Sequence, residues 1–358
     1  MKTSIYFLFL LFHLFTAGIV SGQPDSILNQ GIYRSFILHL PANYESTNKY
    51  PLVINLHGLN SNAAEQQFYS RFDAIADTAG CIVVYPNAVK GSWDLAGSKD
   101  VNFITSLVDT LQSRYSTNSC LFATGMSMGG FMSYKLGCSL YSRLTAIAVV
   151  AGNMPQLQQF NCPVSNGLPI MHFHGTADET VLYNGSAGIP SVPSTIAWWV
   201  NTNACNSTPV ITQVPDINLA DNSNVESSTY TNGKNNSEVV LYKIINGGHS
   251  WPGAIAIPGF GNTNQDINAS KLTWDFFKRF CENLPEVFYW TGSISNVWEN
   301  PLNWAAGRIP GPGSAVVIPT IATFFPSVSR STLISSLEMK PGSTITLKPA
   351  VDLKLKSH

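Results

Sequence analysis

A strand, a tight turn and a helix constrain this chain more than any other stretch in it. Cys120-Leu121-Phe122-Ala123-Thr124 is apolar enough for a buried strand. Gly125-Met126-Ser127-Met128-Gly129 follows, with a further Gly130, and Phe131 to Leu140 reads as a helix. Gly-x-Ser-x-Gly between a strand and a helix is a sharp turn that lifts a serine hydroxyl clear of a sheet. Glycine is needed there because the turn is strained and the helix packs close to the strand. A bare Gly-x-Ser-x-Gly is a weak pattern, so its meaning rests on what the rest of the chain supplies.

The flanking sequence supplies alternating strands and helices. Ile32 to Leu40 alternates as a strand, and Tyr50 to Leu56 is a β-rich apolar run ending in His57-Gly58-Leu59-Asn60. A helix is expected from Ala63 to Ala79, stopped by Gly80, then a buried strand from Cys81 to Pro86. After a loop carrying Trp93-Asp94, Asp100 to Tyr115 has the apolar spacing of an amphipathic helix. Further strands are read at Leu144 to Ala151, Leu168 to Phe173 and Glu238 to Ile245, and helices at Ser194 to Thr202 and Ala269 to Phe280. The polar stretch from Pro209 to Asn236 reads as a surface hairpin with loops. This alternation predicts an α/β fold, a mostly parallel sheet with helices on both faces. After Cys281 helical periodicity stops and aromatic, turn-rich stretches with short β runs take over. A boundary is placed near Glu286, giving a 23–285 α/β domain and a small all-β module over 286–358.

Composition excludes several classes. Of 358 residues only 11% are charged, against the usual ~25%, and the net charge is −1. No basic surplus exists to hold nucleic acid or an anionic membrane. Residues 1–22 read as a secretory leader: Lys2, an apolar run from Ile5 to Val20, then small residues before Gln23. The run is short for a membrane span. The expected location is therefore outside the cytoplasm: secreted, periplasmic or at the cell surface. Six cysteines without a Cys-x-x-Cys pair argue against zinc and against a redox pair. Export permits disulfides, and Cys138 with Cys162 is the expected bridge. Cys81 and Cys120 sit in strand-like runs and read as buried thiols.

An activated serine needs a base, and the base needs an orienting acid. Ser127 is followed by Asp178, in His174-Gly175-Thr176-Ala177-Asp178 just past a strand, and by His249, in Gly247-Gly248-His249 after another strand. Ser, Asp, His, each on a loop after a strand, is one of the chain orders in which such a triad is built. His57 reads as a structural turn histidine, and His172 and His174 as packed or hydrogen-bonded ones. Asp100 reads as a helix N-terminal charge, and Glu179 is expected to point outward. Two backbone amides, Met128 after the serine and Leu59 in the His57-Gly58-Leu59 turn, are the candidate oxyanion donors. Trp93 and Trp251 are candidate substrate-binding residues, lining an apolar acyl pocket with Leu59 and Met128.

Together the blocks His57-Gly58, Gly125 to Gly130, His174 to Asp178 and Gly247 to Gly253 resemble the secreted polyhydroxybutyrate depolymerase and feruloyl esterase family. These are α/β-hydrolases close to carbohydrate esterase family one, and the resemblance runs from Gly31 to Cys281. It implies Ser127 as nucleophile, Asp178 as acid, His249 as base, and ester hydrolysis with no metal and no cofactor. Family members often carry a disulfide near Tyr230 to Asn235, where this chain has no cysteine, so Cys205 is left without an implied partner. Tyr85-Pro86-Asn87-Ala88 is also less acidic than the pattern expected there. The tail, with Trp298 to Gly307 as Trp-x-Asn-x-x-Asn-Trp-x-x-Gly, resembles modules appended to secreted proteins of Bacteroidetes-type bacteria. The sorting domain that usually follows them is not visible, so the tail is read as a truncated form.

The expectation is a serine esterase working through an acyl-enzyme. Its substrate would be feruloyl or acetyl esters of plant polysaccharide, or a polyester such as polyhydroxybutyrate or polyethylene terephthalate. The alternative is an inactive hydrolase-fold protein that binds or attaches through its Trp-rich tail.

Overall fold

The computed structural model describes residues 25–281, 286–311, 314–334 and 336–355. The expected leader, residues 1–22, lies outside them.

Ten strands form one sheet in the order β1-β2-β4-β3-β5-β6-β7-β10-β9-β8. Six run parallel through its centre: β4 (Ile82–Pro86), β3 (Tyr50–Leu56), β5 (Thr117–Met126), β6 (Ala146–Val150), β7 (Ile170–Gly175) and β10 (Val239–Ile245). Antiparallel pairs extend both edges. β1 (Asp25–Asn29) and β2 (Ile32–His39) sit on one side, β9 (Asn224–Tyr230) and β8 (Val210–Gln213) on the other. The second pair is the hairpin expected in the polar stretch.

The central strands are buried along their length because both faces are covered. Alternate residues therefore feed two cores. Leu52, Ile54, Leu56, Ile147 and Val149 pack with α3 (Lys99–Arg114), α4 (Met128–Ser139) and α6 (Val192–Asn203). Val53, Val83, Ala148 and Val150 pack with α2 (Phe72–Ala79) and α7 (Ala269–Phe277). A short α5 spans Gln156–Phe160. The single helix expected over Ala63 to Ala79 is broken. α1 (Ala63–Ser70) ends at Arg71, which takes φ 51° and sends the chain into α2 at a new angle. Nothing in the residue types of that stretch signals the break.

Cys138 and Cys162 are bonded, as expected. Cys120 is not a buried thiol: it is bonded to Cys281. The reading from local apolarity failed because the partner lies 161 residues away in the chain. Cys81 is the buried free thiol, and Cys205 is also free.

The tail has its own core of Phe288, Trp290, Trp298, Trp304, Val316, Ile318, Val328 and Ile334. Its strands pair in parallel: β11 (Glu286–Tyr289) with β12 (Ser314–Ile318), β12 with β15 (Ser336–Met339), β13 (Ser327–Val328) with β16 (Thr346–Leu347), and β14 (Thr332–Ile334) with β17 (Leu353–Leu355). Ala315 lies opposite Ser336, Ser327 opposite Thr346, and Thr332 opposite Leu353. Each strand of the series β12-β13-β14 thus meets its counterpart about 20 residues later, the signature of stacked coils. The tail tryptophans do not form a binding face. Trp290, Trp298 and Trp304 are no more than 2% exposed; Trp304 meets the other two edge-on at 4.9 and 4.6 Å, and Trp290 stacks on Trp298 at 6.4 Å.

Among the described residues no helix is long and apolar enough to cross a membrane, and no cluster of His, Cys, Asp or Glu could hold a metal ion.

Candidate active site

The parallel strands end on one edge of the sheet, and the sequence-predicted residues gather there. Ser127 follows β5, Asp178 follows β7, and His249 follows β10. In the order β5-β6-β7-β10 these strands span a few strand spacings of about 4.8 Å.

Ser127 has φ 54° and ψ −121°, a conformation L-residues avoid, and it stands as the N-cap of α4. The turn is held by backbone approach. A Cβ on Gly129 would lie 2.1 Å from the Leu56 carbonyl oxygen, and one on Gly125 would lie 2.6 Å from that of Gly129. Gly58 sits beside the nucleophile, with its Cβ position 3.4 Å from that of Ser127. The Ser127 side chain is half-buried, and among the described residues its hydroxyl has no hydrogen bond to His249. Such bonds commonly tighten only once substrate is bound.

Asp178 and His249 are joined, Oδ2 to Nδ1, at 2.8 Å, and both are buried. The other carboxylate oxygen of Asp178 accepts the Thr180 and Val181 N–H groups at 2.9 and 2.8 Å. With Nδ1 committed to the carboxylate, Nε2 of His249 is the nitrogen left to take a proton. The loop carrying His249 is pinned by its N–H to the Phe260 carbonyl at 2.7 Å, and the Phe260 ring stacks on the imidazole at 5.8 Å. A cavity of about 200 Å³ opens beside His249, lined also by Glu179, Thr180, Asn246, Phe260 and Asn262. Glu179 is exposed, as expected.

The N–H groups of Met128 and Leu59 are the donors the sequence singled out. Among the described residues no acceptor is bonded to either. Met128 opens α4, where the first amides have no intrahelical partner. The Leu59 loop is fixed from behind. His57 is wholly buried, its Nδ1 bonds the Gly58 carbonyl at 2.7 Å, and its Nε2 accepts the Ala88 N–H at 3.0 Å. Accepting at Nε2 places the ring proton on Nδ1, so the histidine is neutral, and burial holds its pKa below the ordinary value. The turn-histidine reading is what the structure shows.

Trp93 and Trp251 require a correction. They are 2% and 1% exposed, so neither lines an open pocket. The Trp93 indole N–H donates to the His57 carbonyl at 2.8 Å, and that of Trp251 to Ser270 Oγ at 3.1 Å. Both brace loops of the site from beneath. Sequence could not say which way the rings face. Asp100 also does more than charge a helix start: it is buried, pairs with Arg34 at 2.6 Å and accepts the Asp94 N–H.

A group that the sequence did not assign to the site lies behind Asp178. His174 Nε2 is 2.7 Å from the Val181 carbonyl oxygen and 3.5 Å from Asp178 Oδ2. His174 Nδ1 is 3.0 Å from His172 Nε2, and His172 Nδ1 is 2.6 Å from the Tyr134 hydroxyl. Burial lowers the pKa of both histidines and raises that of the tyrosine. The signal available was the i, i+2 spacing of the two histidines, which puts both on one face of β7.

The strand order, the serine turn after β5 and the covering helices define an α/β-hydrolase. A family model described as a putative esterase matches residues 31–166. The chain is 28% identical over 266 residues to a probable feruloyl esterase C of Aspergillus clavatus, covering 72% of this chain and 88% of that protein. It is 27% identical over 267 residues to feruloyl esterase B of Piromyces equi, covering 69% of this chain and 45% of that larger protein. A bifunctional acetylxylan esterase/xylanase of Neocallimastix patriciarum is 29% identical over 163 residues, and the match spans 23% of its length. Among solved structures, an acetyl xylan esterase from Aspergillus awamori superposes with a TM-score of 0.51 at 15% identity, covering 73% of this chain and all of that one. That likeness shows the fold. The chain is thus similar to esterases, feruloyl esterases among them.

Proposed function

We propose that this protein is an extracellular serine esterase that removes feruloyl or acetyl groups from plant polysaccharide through an acyl-enzyme. Ser127 Oγ attacks the ester carbonyl while His249 Nε2 takes its proton. Asp178 holds the imidazole by Nδ1 and stabilises the imidazolium. The oxyanion is received by the Met128 and Leu59 N–H groups. His249 then returns the proton to the leaving alcohol, and water, activated the same way, releases the acid. The hydrolase-fold unit ends near residue 285, and the coiled tail is a separate structural module. Two disulfides support a location outside the reducing cytoplasm.

The observation that carries this reading is the buried 2.8 Å Asp178–His249 bond on the sheet edge that also carries the strained Ser127 turn. The names of the relatives favour polysaccharide esters over polyesters. The test is Ser127→Ala assayed on p-nitrophenyl acetate and methyl ferulate, with polyhydroxybutyrate and polyethylene terephthalate suspensions in parallel. Loss of soluble ester turnover by about 10³-fold or more is expected. Parent-like turnover by the variant would remove Ser127 as nucleophile. Clearing of polymer without methyl ferulate turnover would overturn the substrate class.

A further inference from the structure

We infer that Tyr134, His172 and His174 form a hydrogen-bond chain of fixed sense that positions the catalytic acid Asp178. The inference rests on the triad proposed above and adds three positioning residues to it.

The sense of the chain follows from its two ends. At one end, His174 Nε2 faces only acceptors, the Val181 carbonyl at 2.7 Å and the Asp178 carboxylate at 3.5 Å. It must therefore carry a proton. A neutral ring then leaves Nδ1 as acceptor, so His172 Nε2 is the donor across 3.0 Å. That leaves His172 Nδ1 as acceptor for the Tyr134 hydroxyl at 2.6 Å. At the other end, a buried phenol with its proton in place is what this last step needs. With both histidines uncharged, each of these links pairs one donor with one acceptor, and the Gly152 carbonyl faces the His174 ring as a further acceptor. Reversing any link would set two lone pairs against each other in a site where neither ring is more than 1% exposed.

The chain joins the parts of the triad. Tyr134 lies on α4, the helix that Ser127 caps. His172 and His174 lie on β7, the strand that delivers Asp178. Val181 is gripped twice: its carbonyl by His174, while its own N–H holds Asp178 Oδ1 at 2.8 Å. The turn from Asp178 to Val181 is thereby locked with Oδ2 presented to His249. Neutrality of His174 matters as much as its position. An imidazolium 3.5 Å from Asp178 would compete with the His249 imidazolium for the same carboxylate. The titratable groups facing His174 are His172, Asp178, His249 and, edge-on at 6.0 Å, Tyr183; Glu179 shares a cavity wall with His249.

The experiment compares His172→Phe, His172→Gln and Tyr134→Phe with the parent and with Ser127→Ala, all on p-nitrophenyl acetate across pH 5–9, with thermal melts alongside. Phenylalanine at 172 removes the donor to His174. kcat should fall about tenfold, the scale of one buried hydrogen bond left unmade, with KM within about twofold. Glutamine offers a carbonyl to Tyr134 and an N–H to His174, and should recover kcat to within about threefold of the parent. If His172→Phe does not fold, Tyr134→Phe, which deletes one hydroxyl, carries the test with the same direction of change. Parent-like kcat in a folded His172→Phe or Tyr134→Phe overturns the inference. So does a loss that glutamine fails to restore. Turnover by Ser127→Ala would instead overturn the triad, a separate outcome.

Discussion

Asp178 and His249 meet through one 2.8 Å bond between Oδ2 and Nδ1, and both groups are buried. A carboxylate in that position fixes both the tautomer and the angle of the ring. Asp178→Asn keeps the shape but offers an N–H₂ or a neutral carbonyl in its place. We expect kcat on p-nitrophenyl acetate to fall by about 10³–10⁴-fold with parent-like thermal stability. A loss below tenfold in stopped assays would mean that another group orients the base.

The serine turn has no room for side chains. Gly129→Ala would set a methyl group 2.1 Å from the Leu56 carbonyl oxygen, a backbone atom that cannot swing aside. The variant should lose about 1–3 kcal/mol of stability, or fail to accumulate as soluble protein. Chemical denaturation of purified variant and parent checks this. Gly31, whose Cβ position has nothing within 4 Å but whose φ is +81°, is a useful contrast, since alanine there is strained only by its backbone.

Trp93 braces the Leu59 loop through the His57 carbonyl rather than touching substrate. Trp93→Phe should therefore lower stability by about 1–2 kcal/mol through the unpaired carbonyl. The ratio of kcat/KM on methyl ferulate to that on p-nitrophenyl acetate should stay within about twofold of the parent, because a ring facing the scaffold cannot sort acyl groups. A large change in that ratio would restore the tryptophan to the substrate pocket.

Three buried histidines give the fold an acid-side weakness. His57, His172 and His174 all have folded pKa values below the ordinary 6.5, with burial the leading cause. In the unfolded chain they take protons near pH 6.5; in the folded chain they do so only at lower pH. The unfolded state thus binds more protons in that window, and stability falls as pH falls below about 6.5. Each group contributes up to about 1.4 kcal/mol per pH unit there. Melting temperatures should be level from pH 8 to 7 and drop from pH 6.5 to 5. The drop should be smaller in His172→Gln.

The parallel sheet and the order Ser127, Asp178, His249 were legible because each depends on local pattern: apolar runs of strand length, each ending in a glycine-containing loop. The Cys138–Cys162 bridge was expected and is present, although sequence alone does not fix how six cysteines pair. Other features were not legible, for physical reasons. The break at Arg71 turns on one residue's φ, which leaves no mark in the apolar spacing. The Cys120–Cys281 bond depends on α7 docking against the sheet. The direction of Trp93 and Trp251 depends on which carbonyl or hydroxyl each indole N–H finds, as with the His172–His174 pair, whose roles follow from partners on α4 and the Asp178 turn. The stacking of the tail strands needed register, which short β runs do not reveal one at a time.

The Cys120–Cys281 bond also sets a path for force. Cys281 follows α7, and Cys120 lies in β5, the strand that leads to Ser127. Tension applied anywhere beyond residue 281 passes through the sulfur atoms into the middle of the sheet. It bypasses the whole loop between the two cysteines, Asp178, His249 and α7 included. A pull on the tail of the oxidised protein would therefore load a central strand in shear and leave the base and acid loops slack. Reduction would reroute the same pull through α7, an element able to peel away one turn at a time.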